Sequence, residues 1–592
     1  MHLASADVRH VAPRQRWRAR SRSPWGPVGV ALVYLGCSLA LYRRVLGGLS
    51  TSTVGWASSD SHQFTWWLEW FVHAVSTGAN PLYTTYQHYP FGLNGMWNVP
   101  VPVLAALTAP VTATAGPVVA FNVAMVLGPV ASGVAFVAAT RRLVPRLIAR
   151  AVAGGLYAFC PFVIAHASVG HLNLVWMVFP PLLIWFVDTA LLRHDPRPYL
   201  TGALFGLGLA LQTGLYTQTL AVGAVSLLVV AAVLALRRPA LVGRRLPTLL
   251  RSTVSCLVVY FVLCAYPLYL LLAGPGRPLE RIRPPDATMA DAANLLFPSP
   301  LTAVRVDPAG FGERLALHPG EQGGYVGPAL LLLVALALTI GVRRHVVRPV
   351  ALVAAILVVL SFGVHLVVLN QVLVPVMPWR LLLDVPLLGE MEPVRLQIVI
   401  AACLALIVAV WVDDLVGRPR TVGWWAAAGL IVLVVVSWLP APDAVRTVHT
   451  PVPAFFTRSA AQVLGPGAVV ETTPRATGAW EGGAAPLLWQ AESGMAYRTT
   501  GGYFIGSGPG RPLLLAGPVN AYQAGVDAIE GGAEPGPPEV ARRELRQLGV
   551  SALVVVPRDG DPAASRILDW TRAVSGESGR PVDDVVLFDL AR

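Results

Sequence analysis

"SSDSHQFTWWLEWFVHAVSTGANPLYTTYQHYPFGLNGMWN", residues 58–98, decides how the rest of the chain is read. It follows the first long apolar run, sets an isolated Asp60 before a dense aromatic stripe, and ends in a Pro-, Gly- and Asn-rich tail too polar to cross a bilayer. These features predict a folded loop at a membrane surface. Every later apolar run can be oriented relative to it.

Composition supports that frame. The chain has 592 residues, of which 55% are hydrophobic and 13% charged, with mean hydropathy +0.60; the charge is about half that of an average soluble domain. A formal charge of +12 would suggest nucleic acid in a soluble protein. Here the 44 basic residues are all Arg and cluster in short loops between apolar runs, the pattern of positive-inside topology, so no nucleic-acid partner is expected. The five cysteines lie inside apolar runs without CxxC spacing, which indicates buried small hydrophobes and neither a disulfide framework nor a zinc site. No small-residue cleavage signal follows the first apolar run, which reads as a retained signal anchor.

Arginine placement then sets the topology. Residues 1–24 carry Arg9, Arg14, Arg16, Arg18, Arg20 and Arg22 with little apolar content, as in a disordered basic tail at an anionic cytoplasmic surface. Spans are expected at 25–42, 118–140, 151–168, 172–192, 199–214, 218–236, 252–273, 325–342, 350–369, 394–412 and 422–440. Arg43 and Arg44 sit against the rule. The run from Val101 to Gly116 is short and broken by Pro102 and Pro110, so it is expected to lie at the interface and not to span. The sum is about eleven spans, a cytoplasmic N-terminus, an extracytoplasmic C-terminus, and outer loops at 47–117 and 274–323. This is the topology of a multi-pass plasma-membrane protein, with a transmembrane domain at 25–440.

After Pro440 the composition changes and no spanning run remains. "GAVVETTP", "VSALVVVP" and "DDVVLFDL" are short β-branched runs between turn residues, and "PPEVARRELRQLG" has helical periodicity. A small extracytoplasmic α/β domain at 441–592, which leaves room for parallel strands, is expected.

Orientation gathers the reactive side chains on one face. Asp60, His62, Glu69 and His73 come from the first loop, and His166, His171 and Asn173 from the second. Gln212, Tyr216 and Gln218 mark a helix break, while Asp286, Asp291, Glu313 and Glu321 occupy the long loop. Asp384, Glu390, Glu392 and Arg395 precede a late span. Ionised groups avoid the bilayer centre at about 2.5–3.5 kcal/mol each, which predicts acids on both sides; these strongly favour one. Asp60 also fits a helix N-cap, with Gln63 closing a capping box. On the helix that follows, Phe64, Trp67, Phe71 and Ala74 make an apolar stripe opposite His62, Glu69 and His73, so the helix is expected to lie flat at the interface.

The sequence of motifs "SSDSHQFTWWLEW", "GANPLYTTYQHYPFGLN", "GHLNL", "EMEPVRL" and "LLWQAESGMAYRTTGGY" resembles the GT-C class of polytopic membrane glycosyltransferases, over about residues 25–510. It is most similar to the bacterial branch related to mannosyl- and arabinosyltransferases that use polyprenyl-phosphate sugars. The resemblance implies sugar transfer from a polyprenyl-phosphate donor to a cell-envelope glycan or lipid acceptor. It also implies that Asp60 is the catalytic base or metal contact. Many members carry two acids there, whereas this chain has Ser59-Asp60-Ser61, so a divalent metal, Mg or Mn, is allowed and not required.

The physics of an outer site agrees with that class. Nucleotide sugars are cytosolic, and the chain has no Gly-rich phosphate loop on a strand–helix unit. A lipid-linked donor needs cations near the headgroups, and Arg380 and Arg395 are placed to supply them. His62, Glu69, His171, Asn173, Glu313 and Glu321 complete the expected substrate-binding set. Trp489, Gln490, Arg498 and Tyr503, near paired glycines, could form an acceptor platform. The rival class is a multi-pass transporter or lipid flippase, which calls for ionisable residues at mid-membrane; this chain has few.

Overall fold

The computed structural model describes residues 25–56, 59–287, 289–305, 307, 309–385, 387–477, 483–558 and 560–590. The expected basic tail at 1–24 lies outside the described residues. Among them, seven helices are long and apolar enough to cross a membrane: Pro117–Arg142, Leu147–Ser168, Leu172–Leu192, Gln218–Arg237, Pro239–Leu272, Arg344–Ser361 and Pro393–Val416. Four shorter apolar helices, Gly26–Leu41, Pro102–Ala115, Pro328–Ile340 and Val422–Ser437, accompany them. The chain is thus a polytopic helical membrane protein.

The helix Gln397–Val416 stands at the centre, with nearly every side chain buried, because it is apolar on all sides. Pro239–Leu272 is peripheral and presents mostly exposed apolar side chains, whereas Arg344–Ser361 packs against the central helix with Val347, Val353, Ala354 and Leu357 buried. At 34 residues, Pro239–Leu272 is about 51 Å long, well beyond a hydrocarbon core of about 30 Å. Pro239 starts it, so Arg244, Arg245 and Arg251 ride on helix and not in the loop that the sequence suggests.

The expected span at 350–369 is shorter than its apolar run. The helix stops at Ser361, and Leu366–Val368 pairs antiparallel with Gln371–Val374. β-branched runs satisfy helix and strand equally, and Leu369 and Asn370, both at positive φ, close the hairpin. The Asp291 carboxylate accepts the backbone N–H groups of Leu369 (3.0 Å) and Asn370 (2.9 Å), and also those of Ala293 and Ala316.

The first-loop helix, Ser59–Thr77, does not lie flat on a surface. It is packed between Pro102–Ala115 and Pro117–Ala139 on one side and Ala485–Glu492 on the other, with Trp66, Trp67 and Trp70 buried. Trp66 and Trp70 stack, and Trp66 Nε1 donates to Gln490 Oε1 at 2.6 Å. The aromatic stripe is therefore core between the first loop and the C-terminal segment: each indole buries a large apolar area, although of the three only Trp66 finds an acceptor for its N–H among the described residues.

Beyond Pro440, Thr447–His449 pairs antiparallel with Ser52–Val54 and ties the C-terminal segment to the first loop. A four-stranded sheet follows in the order Arg580–Val582, Val585–Asp589, Ala552–Val555, Val470–Thr473. Ala552–Val555 runs parallel to Val470–Thr473 and antiparallel to Val585–Asp589. Helices Ala521–Glu530, Pro538–Gln547 and Ala564–Ser575 cover one face through Tyr522, Leu545 and Trp570, and Phe455, Phe456 and Trp489 cover the other.

Candidate functional site

Asp60 lies in the first turn of its helix but does not cap it as a capping box requires. Its Oδ2 is 2.9 Å from His171 Nε2, and its Oδ1 accepts from the Tyr503 hydroxyl at 3.0 Å. Gln63 donates to the Tyr503 carbonyl at 3.0 Å instead of reaching back along the helix.

His171 is brought to Asp60 by Gly170. That glycine sits at φ +74, and a Cβ there would lie 2.1 Å from Ser61 Oγ and 2.8 Å from the Val54 carbonyl, so only glycine allows the approach. On its other side His171 Nδ1 faces His166 Nδ1 at 3.0 Å. Asp60, His171 and His166 thus form one polar line running inward from the helix start.

A second line is ionic. Arg395, in the turn Pro393–Leu396 that opens the central helix, places Nη2 2.6 Å from Glu321 and 2.7 Å from Glu392. Arg283, from the long loop, also pairs with Glu392. Arg395, Glu321 and Glu392 are each 4–6% exposed. Nε and Nη1 of Arg395 and Oε2 of Glu321 are buried without a hydrogen-bond partner among the described residues. Buried polar atoms are rarely left so, and each costs about 1–3 kcal/mol, more for a charged group.

Both lines open on one cavity of about 780 Å³. Asp60, His171, Arg283, Glu321 and Arg395 line its polar end, with Asn173, Tyr216, Gln218, His318 and Glu390 around them. Leu220, Ala221 and Ala224 of one spanning helix and Tyr260, Leu268 and Leu271 of the next line an apolar flank.

The electrostatics follow from this packing. Burial pushes the Asp60 carboxyl up, but His171, the Tyr503 hydroxyl and Arg283 outweigh it, and the net lies below the usual carboxylate range. Glu392 is likewise held down, its burial more than offset by Arg395 and Arg283. Glu321 moves up: burial and the charge of Glu392 exceed what Arg395 returns. Burial, with the neighbouring charges of His171 and Arg395, lowers His318 to about 4.

Of the side chains singled out in the sequence, Asp60, His171, Asn173, Glu321 and Arg395 meet at this cavity, together with Tyr216, Gln218, Glu390, Glu392 and Tyr503. His62, Glu69, Glu313 and Arg380 lie elsewhere. His62 is buried on another face of the helix, bonded to Thr450 Oγ1 at 2.9 Å. Glu69 is farther along the helix, where burial and the charge of Glu492 lift it to about 7. Glu313 and Arg380 are exposed, in the turns Phe311–Arg314 and Pro378–Leu382, and line no part of the cavity. Arg283 and His318 join the site without having been singled out. For Arg283 the signal was present: an arginine in a loop that positive-inside bias should leave poor in them.

A metal has a candidate seat here. His166, His171 and Glu321 bring one ligand atom each within 4.8 Å of one another. Two facing imidazole nitrogens and a buried, unpartnered carboxylate oxygen fit a borderline ion such as Zn better than the oxygen-preferring Mg or Mn expected from the sequence. These three residues would hold it, and it would add positive charge to the cavity lining. Asp60 is tied to the set through His171.

Among solved structures, the mycobacterial arabinofuranosyltransferase AftD has the same fold, at TM-score 0.53 and 15% identity over 96% of this chain and 40% of its own. The oligosaccharyltransferase of Archaeoglobus fulgidus aligns over 94% of this chain and 72% of its own, at 12% identity and TM-score 0.47. No protein-family model matches the chain, and no curated protein matches it in sequence. The chain therefore has the fold of the GT-C class of membrane glycosyltransferases, and spans two fifths of the length of AftD.

Proposed function

We propose that this chain transfers a sugar from a polyprenyl-phosphate donor to a hydroxyl of a glycan or lipid acceptor on the extracytoplasmic face of the plasma membrane. The observation that carries the reading is the meeting of Asp60, His171 and Arg395 at one cavity that apolar side chains of two spanning helices also line. A polar head and a hydrocarbon chain on one ligand suit that mixed lining. The fold shared with an arabinofuranosyltransferase adds to it.

The side of the membrane follows from the arginines. Arg193 donates to the carbonyl of Arg142, Arg343 to that of Leu143, and Arg238 to that of His345. The basic loops are thus gathered together, and positive-inside bias assigns their end to the cytoplasm. The cavity residues come from the loops between the opposite helix ends.

In the proposed step the acceptor oxygen attacks the anomeric carbon and forms the new C–O bond. The bond from that carbon to the donor phosphate oxygen breaks, and its electron pair leaves with the phosphate. Asp60 takes the acceptor proton, and Arg395, with donors still unmatched, faces the charge that grows on the phosphate. Because Asp60 is held ionised, it is always ready but weakly basic, so proton transfer accompanies C–O bond formation and does not precede it. The test is transfer in membranes supplied with a panel of radiolabelled polyprenyl-phosphate sugars. Asp60→Asn, inserted and folded as wild type, is expected to lose transfer by at least about 100-fold; full activity in that variant ends the reading.

A further inference from the structure

We propose that Tyr503 is a positioning residue for this reaction: its phenol fixes the Asp60 carboxylate, so the C-terminal segment completes the centre built by the first loop. The proposal rests on the reading of Asp60 as the base. Tyr503 lies 443 residues along the chain from Asp60.

The geometry is that of a clamp. Tyr503 donates to Oδ1 at 3.0 Å while His171 occupies Oδ2 at 2.9 Å, so the two carboxylate oxygens are tied to opposite partners and the group cannot rotate freely. Fixing a reacting group in this way reduces the entropy that must be lost in the transition state. The Tyr503 ring itself lines the cavity.

The segment around Tyr503 is held as a clamp arm would have to be. The Gln63 amide donates to the Tyr503 carbonyl at 3.0 Å. Asn98 makes a pair of bonds to Ile505, one to its N–H and one to its carbonyl, each 2.9 Å. The His88 N–H donates to the Gly501 carbonyl at 2.9 Å. Gly502 adopts φ +137, and a Cβ there would lie 2.3 Å from Gln87 Oε1, so this neighbour of Tyr503 must be glycine. The first-loop partners lie on the helix that carries Asp60 (Gln63) or follow it (Gln87, His88, Asn98), and register between the two segments is set on both sides of the ring.

The experiment compares wild type, Tyr503→Phe, Asp60→Asn and the double variant in the full chain, reconstituted in vesicles with a polyprenyl-phosphate sugar that wild type uses. Tyr503→Phe keeps the ring and removes only the hydroxyl. It is expected to lower kcat about tenfold, the size of one hydrogen bond to a charged group, with donor KM within about twofold and an unchanged thermal midpoint. In the Asp60→Asn background it should have no further effect. Asn98→Ala, which loosens the Ile505 anchor and leaves the phenol intact, should lower kcat by a smaller factor and serves if Tyr503→Phe melts early. Wild-type kcat in Tyr503→Phe, in a chain that Asp60→Asn disables, overturns this inference alone, as does an equal loss in both backgrounds. Full activity of Asp60→Asn overturns the underlying reading as well.

Discussion

Two clusters of buried carboxylate and arginine sit at opposite ends of the central helix, and only one of them looks like a site. At the end of the basic loops, Asp413 is fully buried; Oδ1 accepts the Arg146 N–H at 3.0 Å and Oδ2 accepts from Arg343 at 2.5 Å. Arg343 also donates to the Leu143 carbonyl and Arg146 to that of Asp413. Both Asp413 oxygens are matched, and the cluster clips two loops to the helix. At the other end, Arg395, Glu321 and Glu392 are almost as buried, yet Nε and Nη1 of Arg395 and Oε2 of Glu321 have no hydrogen-bond partner among the described residues, and all three residues line a large cavity. Buried charge alone therefore does not mark function, because ion pairs also hold helices together. Unmatched hydrogen-bonding capacity beside open volume does.

Arginine chemistry gives the sharpest way to break that contrast. Arg395→Lys keeps a cation between Glu321 and Glu392 but removes the planar fork, whose Nε and Nη1 are buried without a hydrogen-bond partner among the described residues. Transfer is expected to fall about 100-fold with the fold retained; a lysine variant as active as wild type would reduce Arg395 to a clip like Asp413. The converse substitution, Asp413→Ala, should lower stability by about 2 kcal/mol in detergent, because Arg343 and Arg146 are part-exposed and water relieves them in part. The kcat of the folded fraction should be unchanged, and a loss of kcat there would couple the two ends of the helix.

How much of this was legible in the sequence depends on what each feature needs. Hydropathy located the apolar runs, since any span must be apolar over its length. It misplaced the end of the helix at Ser361, because the β-branched run after it has no period to separate helix from strand. Asp60, His171, Glu321 and Arg395 were legible because the arginine-set topology gathers acids and histidines on one face and leaves the other face mostly arginine. Which side of the first-loop helix faces the cavity was not: the helix is buried nearly all round, so its amphipathic pattern did not separate Asp60 from His62 and Glu69. Glu313 and Arg380 show the same limit, since sharing a face of the membrane does not distinguish the cavity from its surroundings. Tyr503 drew notice for its glycines, but its partner lies across a fold that no local pattern encodes.

The smallest expected effect uses two acids of a single helix that respond to opposite surroundings. Asp60 has cations and donors around it and is held below its ordinary range, whereas Glu69 is half-buried, faces the charge of Glu492, and is lifted to about 7. A carboxyl raised above its unfolded value of about 4.3 binds more protons in the folded state through the intervening window. Its contribution to stability is therefore fully present below about pH 4.3 and is lost as pH rises through 7. Glu69→Gln removes that dependence. The variant should melt higher than wild type at pH 8, by no more than about 1 kcal/mol after solvent screening, and show no gain at pH 5. Because the gain is confined to one side of the window, melting curves at the two pH values separate a titrating carboxylate from a change in packing, which would move both alike. Equal shifts at pH 5 and pH 8 would mean that the Glu69–Glu492 region is as well matched as the Asp413 clip, and that strain from like charge is not stored on the helix that carries Asp60.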